Sequence, residues 1–533
     1  MRQLNVVIIE DKENLFDDQV RKYSKLFKYC SYEMVAFHAT GQSSAQSIIR
    51  SKNGIDRIHL VVSDIHSVGP KRGLLWIQRL KEEFPDIVFI GNSRHDISYR
   101  ETTILWPSFD VYIDKNILNR DDEEENRVFR SQILDAMKQD VEVFISKDSD
   151  LSNLRERDFK GGIEDRALNS LVAQVVFAKG EHDSVLHPTR VRLSPITGGF
   201  SGSYVFRMEI ECPTSKLRTV PAVLKLSHNE DASIEAENYK KYVKWILPYK
   251  WRVDLLGEGK VKGWSAVCYS FAHGTGLKFD SVTNALKKGE VSAVEQVIDQ
   301  IFSPNYQTWY SNRLCTDSGE KQISAHYSNE YFGRKALSSS KEDFLRLSQK
   351  YLGAVITERD RVSIKNIGIS ISEPSTVLFA TGRGSYSETI CHGDLNSNNV
   401  MIAKKELTFI DFQSTGRKHV FRDFLTFESS IRLYFPDNEI DPETLIRYEG
   451  IVSTQDAIEA RLGDTSDLPE MFRLILRVRQ AALKNFPNEP LNNYIYGMTV
   501  FSLRLLRVDD FSDIQYVRTL CQVFCGMSRL PQV

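Results

Sequence analysis

A doubly wound parallel α/β sheet, followed by a larger unit that opens with antiparallel strands and closes in helices, is the architecture this sequence predicts. Three patterns predict it. Five short apolar runs alternate with amphipathic stretches up to about residue 138, a period-two pattern runs from Val191 to Leu226, and helical spacing dominates beyond Thr275. A chain of 533 residues has room for about three compact units. With 41% hydrophobic and 26% charged residues it has the apolar material for real cores, which excludes a disordered tail or a fibrous repeat.

The five apolar runs are Leu4–Ile9, Tyr32–His38, His59–Ser63, Ile87–Gly91 and Asp110–Ile113, and each reads as a strand. Between them Leu15, Phe16, Val20, Tyr23, Leu26 and Phe27 recur at helical spacing, as do Leu74, Leu75, Ile77, Leu80 and Phe84. An acidic run from Asp121 to Glu125 precedes Val128, Phe129, Ile133, Leu134 and Met137. Negative charge in a first turn suits the helix macrodipole, so this reads as the last helix of a domain over 1–140. Residues 141–188 read as a connector followed by a helix at roughly 164–178.

The period-two pattern then predicts antiparallel strands over 189–275, carried by Val191 and Leu193, by Tyr204, Phe206, Met208 and Ile210, and by Ala222, Leu224 and Leu226. Residues 276–533 read as mainly helical, broken by two short strands, Val400–Ile402 and Leu407–Phe412. No apolar run reaches the roughly 18 residues of a membrane helix, and Met1 to Lys12 has no signal-peptide pattern, so a cytoplasmic address without membrane contact is expected. A net charge of −2 gives no electrostatic case for nucleic acid. The seven cysteines are scattered, and Cys521 and Cys525 lie on an apolar helical stretch without nearby histidines, which reads as buried thiols.

The chemistry concentrates in Cys391-His392-Gly393-Asp394-Leu395-Asn396-Ser397-Asn398-Asn399-Val400, followed by Phe409-Ile410-Asp411-Phe412-Gln413. An Asp five residues before an Asn, with a second Asp after the next hairpin, lets one loop supply a base and a magnesium ligand while the hairpin delivers another. Asp394 is the candidate base; Asn399 and Asp411 are candidate Mg²⁺ ligands. His392 reads as a structural hydrogen-bonding residue and Asp423 as a helix cap.

Upstream, the stretch from Thr197 to Ser203 carries Gly198, Gly199, Ser201, Gly202 and Ser203 between two period-two strands. Because the chain re-enters a strand at Tyr204, this is neither a Walker loop nor a dinucleotide fingerprint, both of which open a helix. It reads as a lid over nucleotide phosphates. Lys225 lies opposite the stripe of Ala222, Leu224 and Leu226, and its ammonium needs an anchoring carboxylate; Glu235 is favoured, with Glu237 as the alternative.

Together these residues resemble the aminoglycoside and choline phosphotransferase family, the small-molecule branch of the kinase-like fold, over roughly 189–430. The resemblance implies a bilobal α+β kinase-like fold that binds ATP and Mg²⁺ and phosphorylates a small-molecule hydroxyl. It makes Asp394 the base, Asn399 and Asp411 the metal ligands and Lys225 with Glu235 the phosphate-side pair, and it places the segment around Tyr269 and Phe271 near adenine. Gln413 stands where a glycine would complete Asp-Phe-Gly, and Pro469-Glu470 comes 59 positions after Asp411. Both disfavour a peptide-binding segment, and so the rival reading of a protein kinase acting on a partner. The other rival is a regulatory nucleotide-binding module without turnover.

In the N-terminal sheet Glu10 and Asp11 end the first strand, Asp64 the third and Lys115 the fifth, all at carboxyl ends, where ligands gather in a 2-1-3-4-5 sheet. This segment resembles the receiver domain of response regulators, a flavodoxin-like fold. The resemblance makes Asp64 the phosphoacceptor, Glu10, Asp11 and Asp64 a metal cluster, Lys115 the phosphate contact, Asn92 or Ser93 the switch residue, and a histidine kinase or small phosphodonor the partner. Asn116 replaces the proline expected after Lys115.

Overall fold

A computed structural model of the chain describes residues 2–28, 32–52, 57–64, 72–84, 87–93, 110–114, 143–146, 149–151, 163, 165–177, 189–196, 203–211, 221–228, 230–261, 263–270, 280–303, 309–310, 314–315, 323–331, 334–357, 361–374, 386–403, 406–436, 440–460 and 467–530. The chain divides into two compact units, Met1–Ile234 with Leu255–Gly274, and Glu235–Asp254 with Thr275–Val533.

In the first unit, β1 (Arg2–Ile9), β2 (Tyr32–Ala39), β3 (Leu60–Asp64), β4 (Val88–Ser93) and β5 (Val111–Asp114) form a parallel sheet in the order β2-β1-β3-β4-β5. Alternation along β1 explains why both faces are covered. Val6 and Ile8 join Tyr23, Leu26 and Phe27 of the helix Glu13–Lys28, whereas Val7 and Ile9 join Ile49 of the helix Gln42–Ser51 and Ile77 and Leu80 of the helix Arg72–Glu83. The expected strand order and the first helices are therefore present. The helix expected after Asp121 lies outside the described residues.

A second, six-stranded sheet has the order β10-β11-β9-β8-β7-β6. Its strands are β6 (Val143–Ile145), β7 (Thr189–Pro195), β8 (Tyr204–Glu211), β9 (Ala222–His228), β10 (Leu255–Val261) and β11 (Trp264–Ser270). All neighbours are antiparallel except β6 and β7, which run parallel. Residues 141–188 thus do more than connect. β6 adds an edge to this sheet, and the helix Asp165–Phe177 packs Leu168, Leu171, Val172 and Val175 onto Val191, Leu193, Phe206, Leu224 and Ala266. Its Gln174 accepts a hydrogen bond from the Lys260 amide at 2.9 Å.

The second unit is mainly helical, but it holds more strand than the hairpin read from the sequence. β12 (Asp280–Ser281), β18 (Val400–Ala403) and β19 (Glu406–Phe409) form one small sheet. β13 (Leu314–Cys315), β17 (Ser387–Cys391) and β20 (Gly416–His419) form a second, and β14 (Val355–Thr357), β15 (Arg361–Ile364) and β16 (Ile369–Ser372) a third. Strands of two to five residues are too short to show a period, and outside the β18–β19 hairpin the sequence pattern does not reveal them. The helical core is aromatic: Phe302 stacks on Phe424 at 4.2 Å, and Phe421 meets Tyr494 at 5.1 Å. Cys521 and Cys525 are buried free thiols on the helix Asp513–Arg529. Among the described residues no helix is long and apolar enough to cross a membrane.

Candidate active site

The loop between β17 and β18 carries Asp394 and Asn399, and its own hydrogen bonds fix both. Asp394 Oδ2 accepts from Asn396 Nδ2 at 3.1 Å and Asn399 Nδ2 at 3.2 Å, and Asn399 Nδ2 also donates to the Asp394 carbonyl at 2.8 Å. With its amide hydrogens spent on Asp394, Asn399 has its Oδ1 left as an acceptor, the donor type a hard divalent cation prefers. The β18–β19 register pairs Val400 with Phe409, and the Ile410 amide donates to the Asn399 carbonyl at 3.1 Å. Asn399 and Asp411 therefore emerge from adjacent ends of one hairpin.

Asp411 itself departs from the expected strand Leu407–Phe412. β19 ends at Phe409, and Asp411 has φ +65°, making it the one non-glycine residue with positive φ among those described. A left-handed residue cannot continue a pleated strand, so the chain turns there. Such strain persists only where the surroundings over-determine it. Here the Phe412 amide donates to Glu235 Oε1 at 3.3 Å, the Phe412 ring lies 5.5 Å from Tyr239 and 5.3 Å from His392, and Asn238 Nδ2 donates to the Gln413 carbonyl at 2.7 Å. Glu235 is fully buried and Glu237 exposed.

A residue read as a helix cap proves to anchor the loop. The helix Arg422–Tyr434 has Phe421 at its N-cap, and the buried Asp423 carboxylate reaches back to accept the His392 and Gly393 amides at 2.9 and 2.8 Å. Burial pushes the Asp423 carboxyl up, while the His392 ring, those amides and Arg422 oppose it. Arg422 Nε donates to the Gly393 carbonyl at 2.7 Å, and its guanidinium lies 4.5 Å from the Tyr331 ring centroid. The signal available in the sequence was two ionisable residues inside the apolar run Val420 to Leu425. His392 is buried, and its Nε2 lies 3.0 Å from the Ile410 carbonyl, so that nitrogen carries the proton.

Gly393 is required where it stands: it has φ +82°, and an added Cβ would lie 2.2 Å from the Ser414 carbonyl oxygen. Gly393→Ala should destabilise the second unit by about 2 kcal/mol or more, read as a lower thermal midpoint than wild type. An unchanged midpoint would contradict this packing.

In the first unit Lys225 is 5% exposed on β9, in register with Val205 and Val267 of the flanking strands. Ser203 Oγ lies 2.8 Å from Ser227 Oγ, and Tyr269 is buried on β11 opposite Val223. Gly198, Gly199, Ser201, Gly202 and Phe271 lie outside the described residues. Lys225 belongs to the first unit, whereas Glu235, Asp394, Asn399 and Asp411 belong to the second.

At the carboxyl ends of the parallel sheet Ile9 pairs with Ser63, so Glu10 and Asp64 leave adjacent strands at one level, and Asp64 pairs with Asn92. Glu10 is buried and accepts from Gln19 Nε2 at 2.8 Å; Asp11 is exposed. Among the described residues neither polar atom of the buried Asn92 amide has a hydrogen-bond partner. Lys115 and the side chains of Asp64 and Ser93 lie outside the described residues.

A family model described as Ternary complex associated domain 9 matches residues 364–507. No curated protein matches the chain. Among solved structures, the chain is similar to aminoglycoside phosphotransferase APH(3'')-Id from Streptomyces rimosus, at 16% identity and TM-score 0.28, covering 58% of this chain and 97% of that one. It is similar to choline kinase from Cryptosporidium parvum at 11% identity and TM-score 0.29, covering 64% and 89%. A signal receiver domain of a two-component histidine kinase from Clostridium thermocellum is similar at 17% identity and TM-score 0.19, covering 25% and 97%.

Proposed function

We propose that this chain is an ATP-dependent phosphotransferase that moves the γ-phosphate of ATP to a hydroxyl of a small molecule, and that its receiver-like domain regulates it. The observation that carries the reading is the immobilised Asp394 carboxylate, held by Asn396 and Asn399, beside a hairpin that brings Asn399 and Asp411 together. Asp394 would accept the proton of the attacking hydroxyl as the new O–P bond forms, and ADP leaves with the electrons of the broken β–γ bridge. Asn399 Oδ1 and the Asp411 carboxylate would hold Mg²⁺, which neutralises phosphate charge when bound. Lys225 and the segment from Gly198 to Ser203 would meet the phosphates, with Glu235 completing the phosphate-side set and the Tyr269 and Phe271 segment beside the base. In the N-terminal domain, Asp64 would accept a phosphoryl group from a histidine kinase or a small phosphodonor, with Glu10 and Asp11 as its metal ligands and Lys115 as its phosphate contact.

The test uses the purified full chain with ATP and Mg²⁺ against a panel of hydroxyl compounds, following ADP release and identifying the phosphorylated product by mass spectrometry. Asp411→Asn should lower acceptor-stimulated ADP release about 10²-fold by removing a metal ligand. An undiminished rate in that variant, or transfer of labelled phosphate to a polypeptide instead, would overturn the assignment.

A further inference from the structure

A lysine with no ion pair among the described residues lies next to the loop that carries the candidate base. Lys287 ends the helix Val282–Lys287, is exposed, and makes no ion pair among the described residues, whereas its neighbour Lys288 lies 3.5 Å from Asp280 and 4.0 Å from Glu290. The Lys287 ammonium instead sits 5.5 Å from the ring centroid of Tyr434, the last residue of the helix Arg422–Tyr434. The Tyr434 hydroxyl in turn lies 3.5 Å from Asn398 Nδ2, four residues after Asp394. Burial pushes the Tyr434 hydroxyl up, the Asn398 hydrogen bond opposes this, and the Asp394 charge adds to the rise.

The helix that carries Lys287 is tied to that same loop. The Thr283 amide donates to the Ser397 carbonyl at 3.2 Å, the Thr283 and Ser397 hydroxyls lie 2.5 Å apart, and the Ser397 amide donates to Ser430 Oγ at 3.0 Å. One short helix and one long helix are thus both tied to the loop that carries Asp394. The result is an aromatic ring, an amide and a lysine ammonium set side by side next to the loop that carries the base.

We infer that Lys287, Tyr434 and Asn398 form the acceptor-side contact of the site, and that the acceptor is an anionic hydroxyl compound, one bearing a phosphate or carboxylate group. This rests on the phosphotransferase reading and narrows it. A lysine on an anchored helix attracts a ligand anion and repels an ammonium, so amino sugars and quaternary amines are disfavoured by the charge that draws the anion. The Tyr434 ring supplies the flat apolar face, and the Asn398 amide a donor for a further ligand oxygen.

The test measures ADP release by the full chain with matched acceptors: glucose, glucosamine and glucose 6-phosphate, then glycerol and glycerate. The anionic members should stimulate release and the others not. Lys287→Ala should raise KM for the anionic acceptor about tenfold with kcat changed less than about twofold, and Lys287→Arg should restore most of that loss. Stimulation by glucosamine or glucose, an unmoved KM in Lys287→Ala, or no stimulation by any anionic acceptor overturns the inference. The phosphotransferase reading fails separately, if wild-type protein binds no ATP or if Asp394→Ala leaves acceptor-stimulated release intact.

Discussion

Replacing Asp394 by alanine should slow acceptor-stimulated ADP release by roughly 10²–10⁴-fold while ATP affinity and thermal midpoint stay near wild type. The reasoning is geometric. Asp394 is half-buried, its carboxylate bonds among the described residues only to the side chains of Asn396 and Asn399, and both amides can turn to water once it is gone. The loop's position does not depend on it, because Asp423 and Arg422 hold the backbone at His392 and Gly393. A truncation here removes a proton acceptor and leaves the scaffold standing. Full activity in the purified variant would refute Asp394 as the base, and a collapse of the thermal midpoint would show that its role is structural.

The largest stability effect is expected at Arg479. Arg479 and Arg432 face Glu428 and Glu449 in the core of the second unit, and none of the four side chains is more than 3% exposed. Arg479 Nη2 donates to Glu428 Oε1 at 2.7 Å, Arg432 Nη2 donates to Glu449 Oε2 at 2.9 Å, and the Tyr494 hydroxyl donates to Glu428 Oε2 at 2.5 Å. Two guanidinium groups neutralise two carboxylates, and hydrogen bonds occupy the remaining donors and acceptors. Arg479→Met would leave two buried carboxylates against one cation, at a cost of about 3–5 kcal/mol. Urea denaturation of the full chain should show the midpoint of this unit falling accordingly. Pairing Arg479→Met with Glu428→Gln should recover part of the loss, because charge balance returns, and a double variant no better than the single would refute the charge argument.

The same network fixes a pH dependence. Burial alone would raise the Glu428 carboxyl, but Arg479, Arg432 and the hydrogen bonds outweigh it and pull it from 4.5 to about 2. The folded value lies below the unfolded one, so between them the unfolded chain binds the extra proton and stability rises with pH. This contribution is complete above about 4.5 and is lost as pH falls toward about 2. Removing Glu428 should flatten that acid limb in the denaturation profile.

The parallel sheet was legible because its strands carry strong local patterns. Runs such as Val6–Ile9 are apolar throughout, as a strand covered on both faces tends to be, and the helices between them show 3.6-residue spacing. The spacing of Asp394, Asn399 and Asp411 was legible for a related reason, since a loop and a hairpin juxtapose residues close in sequence. β13, β17 and β20 were not, because Leu314, Glu388 and His419 meet across long stretches of chain and each strand is too short to announce itself.

What the sequence by itself determined is therefore local: the strand and helix periods of the described residues up to Ser93, the antiparallel strands from Thr189, and the residue types of the candidate site. Tertiary structure alone decided the burial of charge and the shape of the loop. Asp423 reaches back 30 residues to the Gly393 amide, and Glu428 is neutralised by Arg479 from 51 residues on. A charged side chain enters a core only when its counter-charge or donor arrives with it, and that arrival is a property of the folded chain rather than of any stretch of it.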